Sequence, residues 1–296
     1  MLQQFYNITD TLIVGQFLGS DALAAVGSSF SLMTFLTSIL LGLCMGSSVI
    51  FSTFFGARKK DSLQSSFFVS FCFVGLAAVV IEALSLFFLD PLLTVLQIPV
   101  HILSDTRTYL QIIFYGIFFT FLYNFFASLL RAIGNSFIPL IFLGVSTLIN
   151  ILLDLLFILQ FQMGIAGAAW ATVIAQGFSA IGMIGYCVVK VPLIRLQKKH
   201  FVFTKGLFIP IVQYSLLTCV QQSIMNFGIL MIQGLVNSFG VTVMAAFAAA
   251  VKIDSFAYMP VQDFGNAFST FIAQNYGAKQ QQRIRKGIRT AVTASV

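Results

Sequence analysis

Long apolar runs, separated by short segments rich in glycine, proline and charged residues, recur along the whole chain. Runs near or beyond the roughly 18 to 20 residues that cross a bilayer predict membrane-spanning helices. The pattern therefore predicts an all-α polytopic membrane protein. The predicted helices cover residues 1–18, 23–56, 62–88, 107–131, 137–160, 165–190, 207–238 and 241–276, and a ninth begins near residue 282.

Positive charge follows every second predicted helix. Of the 16 Lys and Arg residues, only Arg107 and Lys252 lie outside the loops that follow the second, fourth, sixth and eighth helices. Loops rich in Lys and Arg stay in the cytoplasm. We therefore expect a cytoplasmic N-terminus.

The composition excludes an ordinary soluble domain, because 58% of the 296 residues are hydrophobic and only 8% are charged. The net charge of +7 does not indicate nucleic-acid binding, since the basic residues lie between apolar spans rather than on one face with stacking aromatics. The sequence contains no Walker loop, nucleophile elbow or HExxH motif, so it predicts no enzyme, catalytic residue or cofactor. We expect His101 and His200 to be solvated loop residues.

A shift of 221 residues superposes two parts of the chain. It aligns Gly19 with Gly240, and the basic segment after Gly56 with the basic segment after Gly277. The shift spans six helices, an even number, so it predicts parallel repeats of six helices each, as in some transporters. Relative to a twelve-helix parent, we expect the first helix and the second repeat to be cut short.

Polar side chains at membrane depth are functional candidates, because an ionisable group there costs a few kcal/mol or more. At about 1.5 Å per residue, Asp10, Asp154 and Thr172 lie at one level about 10 Å below the outer surface. Asn150 lies one turn from Asp154 on the same helix face. Two carboxylates in a poorly hydrated cavity could exchange a proton, and the four side chains also suit a hard cation such as Na⁺. We predict a coupling site for H⁺ or Na⁺ here; the alternative is hydrogen bonding within the bundle.

Further polar and aromatic side chains in the predicted spans are candidates for a substrate cavity. The first helix carries a polar stripe at helical spacing, which must face a cavity or another helix rather than lipid. Aromatic rings in a pathway could bind aromatic cations. The candidate cavity residues are Gln3, Tyr6, Asn7, Trp170, Gln222, Asn226, Lys252 and Asp254.

Short motifs occur in order from one end of the chain to the other. They are the runs 6–15, 18–27, 56–59, 130–134, 150–154, 164–172 and 274–278. Taken in this order, they resemble the multidrug and toxic compound extrusion (MATE) family, and within it the bacterial DinF-like branch.

The resemblance implies a twelve-helix fold with two six-helix lobes, a central cleft, and export of drug-like, often cationic compounds in exchange for H⁺ or Na⁺. The cation site of the DinF-like branch matches Asp10, Asn150, Asp154 and Thr172. The family often has a proline after the helix-five aspartate, where this chain has Leu155. The resemblance also implies a bacterial inner membrane, with lipid and small drug-like molecules as partners, no nucleic acid, and a monomer at full length.

The resemblance divides the chain into an N-lobe at 1–190, a basic cytoplasmic loop at 191–206 and a partial C-lobe at 207–296. We expect this fragment alone not to transport, because alternating access requires two lobes. One alternative is a lipid-linked saccharide flippase of the same superfamily, which would need a cavity rich in cationic side chains. Another is a non-transporting membrane scaffold or channel.

Overall fold

The computed structural model describes residues 2–194 and 197–295; the side chains of residues 2–8, 10, 225, 241, 242, 245, 248, 249, 252, 255–257, 259, 294 and 295 lie outside that description. The described chain is almost entirely helical and contains no β-strand. Its α-helices are α1 (Leu2–Leu18), α2 (Ser20–Gly56), α3 (Lys60–Phe87), α4 (Leu89–Val95), α5 (Val100–Phe114), α6 (Ile117–Ala132), α7 (Phe137–Leu155), α8 (Gly164–Lys190), α9 (Lys205–Asn237), α10 (Val241–Gly277) and α11 (Gln281–Ser295).

The all-α membrane fold predicted from the apolar runs is confirmed. Among the described residues, α2, α3, α8, α9 and the unit formed by α7 and its continuation to Gln160 are long and apolar enough to cross a membrane. Helices α5 and α6 together would make a sixth span. The count of eight spans stays a prediction.

The single helix predicted at 107–131 is wrong, because two helices, α5 and α6, occupy this region and meet at 46°. Gly116 lies at the bend, and a Cβ atom on it would come within 2.9 Å of Val173 Cγ2 on α8. The bend therefore lies where a glycine allows close packing against α8. This partner is distant in sequence, so the hydrophobic pattern of the segment gives no sign of the break.

Helix α2 lies at the centre of the bundle and packs against α3, α5, α6, α9 and α10. Phenylalanine rings fill the space between α2, α3 and α6. The ring of Phe125 contacts those of Phe51, Phe67, Phe71 and Phe121 at centroid distances of 5.4–6.0 Å. Such tilted and edge-on ring pairs stabilise the contact between the three helices, in addition to the stabilisation that comes from burying the apolar area of the rings.

Small residues bring α2 and α9 together backbone to backbone. A Cβ atom on Gly42 would lie 2.5 Å from Cys219 Cα, and Gly46 lies directly against the backbone of Ser215. The hydroxyls of Ser47 and Ser215 share a hydrogen bond of 3.1 Å. Close approach at glycine and serine is the usual way that membrane helices associate, because lipid offers no hydrophobic driving force between them.

The helices α2 and α10, which the shift of 221 residues superposes, have matching geometry, and the repeat of six helices stays a prediction. Helices α2 and α10 both have 37 residues, and their bounds differ by the predicted shift. The residues before them, Gly19 and Gly240, have φ of 89° and 93°, a conformation that glycine adopts readily. Arg58 and Lys279, beyond the two C-termini, match in the same way, with φ of 57° and 56°.

Candidate cation site

Three of the four residues predicted to bind a cation lie between α7 and α8. Asn150 and Asp154 are fully buried, and Thr172 is 4% exposed. The Asn150 Nδ2 donates to Thr172 Oγ1 at 3.4 Å. The spacing of four residues puts Asn150 and Asp154 on one face of α7, and the bond to Thr172 shows that this face turns toward α8.

Helix α1 packs against both α7 and α8. Asp10 lies on this helix, but its side chain is outside the described residues, as are those of Gln3, Tyr6, Asn7 and Lys252. The backbone arrangement thus brings the helix of Asp10 to the two helices that carry the other site residues. The participation of its carboxylate stays a prediction.

The buried group offers oxygen atoms of three kinds, namely a carboxylate, an amide carbonyl and a hydroxyl. Asn150 Oδ1 accepts no hydrogen bond from the described side chains, although it is fully buried. A buried polar atom normally has a partner. A carboxylate held at this depth is costly unless a proton or another cation neutralises it. The donor set fits a small hard cation as well as a proton.

A π-helical segment, Leu156–Gln160, begins two residues after Asp154. Segments of this kind are rare and often occur at functional sites. This one packs closely against α8, since a Cβ atom on Gly167 would lie 3.0 Å from Phe157 Cβ. It lies just beyond Leu155, which stands where the family often has proline. The sequence contains no signal that would have predicted this change of helix geometry.

The remaining cavity candidates are spread over α8, α9 and α10. Trp170 is 38% exposed, and Asp254 is exposed on α10. Gln222 is buried, where its amide nitrogen contacts Met45 Sδ at 3.5 Å and its Oε1 accepts from Gln262. Asn226 donates to the backbone carbonyl of Gln222 at 3.0 Å. Their role in a substrate cavity stays a prediction.

His200 does not lie in solvent as predicted, because it is only 2% exposed. Its Nδ1 accepts from the Gln197 N–H at 3.0 Å, so its Nε2 donates to Asp61 Oδ1 at 3.1 Å. Lys199 Nζ lies 2.9 Å from the same carboxylate oxygen. These contacts fasten the basic segment between α8 and α9 to the start of α3. Asp61 and His200 are far apart in sequence, so the composition of the loop does not indicate that His200 is buried.

Arg107, one of the two cations outside the basic loops, has a partner at the opposite end of the bundle. Its Nε donates to Asp90 Oδ1 at 2.7 Å, and its Nη2 to Asp90 Oδ2 at 3.3 Å. This two-point contact lowers the pKa of Asp90 below its usual value. Both side chains are exposed, so the pair contributes little to stability.

Comparison with known proteins gives a consistent result. The family model described as MatE matches residues 1–156 and 218–296. YpnP, a probable multidrug resistance protein of Bacillus subtilis, is 31% identical over 286 residues, which are 96% of this chain and 63% of that protein. YoeA, a second such protein of the same organism, is 28% identical over 299 residues, which are 99% of this chain and 65% of that protein. The chain thus spans slightly less than two thirds of these relatives.

A likeness to solved structures supports the same fold. An outward-facing multidrug resistance MATE family transporter of the MOP superfamily superposes with a TM-score of 0.87. The match covers 99% of this chain and 65% of that chain, at 22% identity. At this level of identity, the likeness bears on the fold alone.

Proposed function

This chain belongs to the MatE family, and from that premise we propose that it acts in secondary multidrug efflux, exporting drug-like compounds in exchange for H⁺ or Na⁺. Members of the family are transporters and not enzymes. The proposal includes the division into an N-lobe at 1–190, a connecting loop at 191–206 and C-lobe residues at 207–296. It also includes a bacterial plasma membrane as the location.

The observation that carries the proposal is the buried carboxylate of Asp154, one turn from the bonded pair Asn150 and Thr172. A carboxylate inside an apolar bundle is stable only when its charge is balanced. Gain or loss of a small cation therefore changes the electrostatic balance between α7 and α8. If this position had only a structural role, a neutral side chain would serve it without the free-energy cost of a buried charge.

Coupling follows from the way α1 packs against the same two helices. When a cation neutralises Asp154, α1 can pack against an uncharged face. When the cation leaves, the charge is met by polar groups of the protein, by water or by a cationic substrate. In this mechanism the coupling cation and the drug stabilise different arrangements of the same helices, and each lowers the affinity for the other.

The test is dye efflux from liposomes that contain the reconstituted protein in a form with both lobes complete, because alternating access is expected to require them. One set of vesicles carries only a pH gradient and the other only a Na⁺ gradient, so the two arms identify the coupling ion. We expect Asp154→Asn to abolish gradient-driven efflux. Asp90→Asn is the matched control, because Asp90 is exposed and pairs with Arg107 far from the site, and this variant should keep the activity.

Gradient-driven efflux by Asp154→Asn at the rate of the unmodified protein would contradict the proposal. Translocation of a lipid-linked saccharide without dye efflux would also contradict it and favour a flippase. Gradient-independent leakage that persists in both variants would favour a channel.

A further inference from the structure

Two small cavities lie near the cation site, and we name them by their depth below the outer surface of the bundle. The outer cavity, of about 30 Å³, lies between α2, α5, α6 and α8 and includes Thr172 in its wall. The inner cavity, of about 50 Å³, lies between α6, α7 and α8. Both cavities are lined by Thr120 and Gln176. The two spaces are therefore adjacent and separated by the same pair of side chains.

The inner cavity is lined mainly by residues that carry polar groups, although apolar atoms make up most of its exposed surface. Six of its seven lining side chains carry a polar group, and Leu143 is the exception. Ser146 and Ser179 donate to backbone carbonyls of the opposite helix at 3.0 Å, which leaves their oxygens able to accept from water. A cavity needs about 10–15 Å³ of such volume to hold a water, so this space of about 50 Å³ has room for at least one.

The two side chains that line both cavities are in hydrogen-bond contact with each other. Thr120 Oγ1 lies 2.5 Å from Gln176 Oε1 and 3.1 Å from the Gly116 carbonyl oxygen, and its one proton can be donated to either. Both side chains are only half-buried. Gln176 lies one turn beyond Thr172 on α8, so its side chain extends from the same helix face as the cation site. Rotation of this one side chain would join the two cavities.

The inner cavity extends toward the end of the bundle that carries the basic loops. Asp154 lies about 26 Å along α7 from its first residue, whereas Leu143 lies about 9 Å from it. Tyr123 lies at this end, where its hydroxyl donates to the Pro139 carbonyl in the first turn of α7 at 2.9 Å. The polar positions thus form a sequence from the cation site to the face that is predicted to be cytoplasmic.

We propose that the outer and inner cavities form a hydrated path through the first lobe, gated by the Thr120–Gln176 bond, by which the small cation moves between Asp154 and the basic-loop face. The inference rests on the proposed function, because it supplies the route to the same site. It assigns a role to Thr120, Gln176, Ser146 and Ser179, which the cation site itself does not use. These are positioning residues that hold water and do not bind the cation permanently.

The first experiment uses Trp170, the only tryptophan of the chain, which lies two residues before Thr172. Its fluorescence is followed by stopped flow after a jump in pH, and separately after a jump in Na⁺. Gln176→Leu should slow the signal about tenfold, because an apolar side chain replaces a polar one on the route of the cation, while the midpoint of the equilibrium titration stays unchanged. Gln213→Leu, an exposed position on α9, is the control and should match the unmodified protein.

The second experiment measures access to water directly and does not depend on transport. Ser179→Cys in the inner cavity is compared with Ile181→Cys, which is 65% exposed on the outer surface of the same helix, after replacement of Cys44, Cys72, Cys187 and Cys219 by alanine. A charged thiol reagent reacts only with thiols in water. We expect rapid labelling of Ser179→Cys from the basic-loop side only, and little labelling of Ile181→Cys.

The outcomes separate the two proposals. A Trp170 response in the unmodified protein, with equal rates in Gln176→Leu and no labelling of Ser179→Cys, would overturn the path and leave the cation site intact. The absence of any response to either cation, with Asp154→Asn indistinguishable from the unmodified protein, would overturn both.

Discussion

Gly56 and Gly277 lie 221 residues apart in sequence, and each packs against the backbone of the other's helix. Gly56 lies against the carbonyl of Gln274, and Gly277 lies against the carbonyl of Thr53. The same shift relates Thr53 to Gln274, so the crossing of α2 and α10 is symmetric. Gln274 also donates to the Ala132 carbonyl at 2.8 Å, which ties the crossing to the end of α6. The helices α2 and α10 thus meet at their equivalent C-terminal ends.

Substitution at this crossing should separate the helices. A methyl group in Gly277→Ala would overlap a backbone carbonyl that cannot rotate away, and overpacking of this kind costs about 1–3 kcal/mol. We expect the melting temperature of the purified protein to fall by about 3–10 °C. Gly265→Ala on the same helix is the control, because nothing lies within 4 Å of its added methyl group. Equal melting temperatures for the two variants would contradict a tight crossing.

The hydroxyl of Thr172 should contribute to cation affinity. Thr172→Val keeps the shape of the side chain but leaves Asn150 Nδ2 without its bond to the hydroxyl. We expect the affinity for the coupling cation to fall about tenfold, the effect of one lost buried hydrogen bond. Thr172→Ser should restore it. The measurement is an equilibrium titration of Trp170 fluorescence, with Thr218→Val on α9 as the control.

An unchanged titration for Thr172→Val would mean that the hydroxyl only packs between the helices. A loss of affinity in Thr218→Val as large as that in Thr172→Val would indicate a general loss of structure. Either result would remove Thr172 from the cation site.

Loss of His200 should release the basic loop. In His200→Ala, the Gln197 N–H and the Asp61 carboxylate each lose a hydrogen-bond partner. We expect trypsin to cleave at Lys198 and Lys199 about tenfold faster, because cleavage follows the population of the opened loop. His101→Ala, in an exposed position, should leave the rate unchanged. The same cleavage rate in both variants would show that His200 does not hold the loop.

Much of the fold could be predicted because apolar runs and their breakers are local features. The repeat could be predicted as well, since Gly19 and Gly240 mark the same turn in both copies. The bend at Gly116 could not, because it depends on Val173 in another helix. Neither could the burial of His200, whose partner lies at the start of α3.

Only part of the candidate site could be predicted from the sequence. Depth along each helix follows from sequence, and it set Asp154 and Thr172 at one level. Whether their helix faces turn toward each other depends on how α7 and α8 rotate about their axes. The Asn150–Thr172 bond shows that these two faces turn toward each other. The position of the Asp10 side chain stays a prediction.

The sequence by itself determined the membrane class of this protein, the order of its helices, its repeat and the chemical groups placed at membrane depth. The tertiary structure alone decided which of these groups meet, where the helices bend, and which polar residues surround internal space. The physical reason is that hydrophobic periodicity acts within one helix, whereas rotation and close approach are set by side chains that touch across helices far apart in the chain.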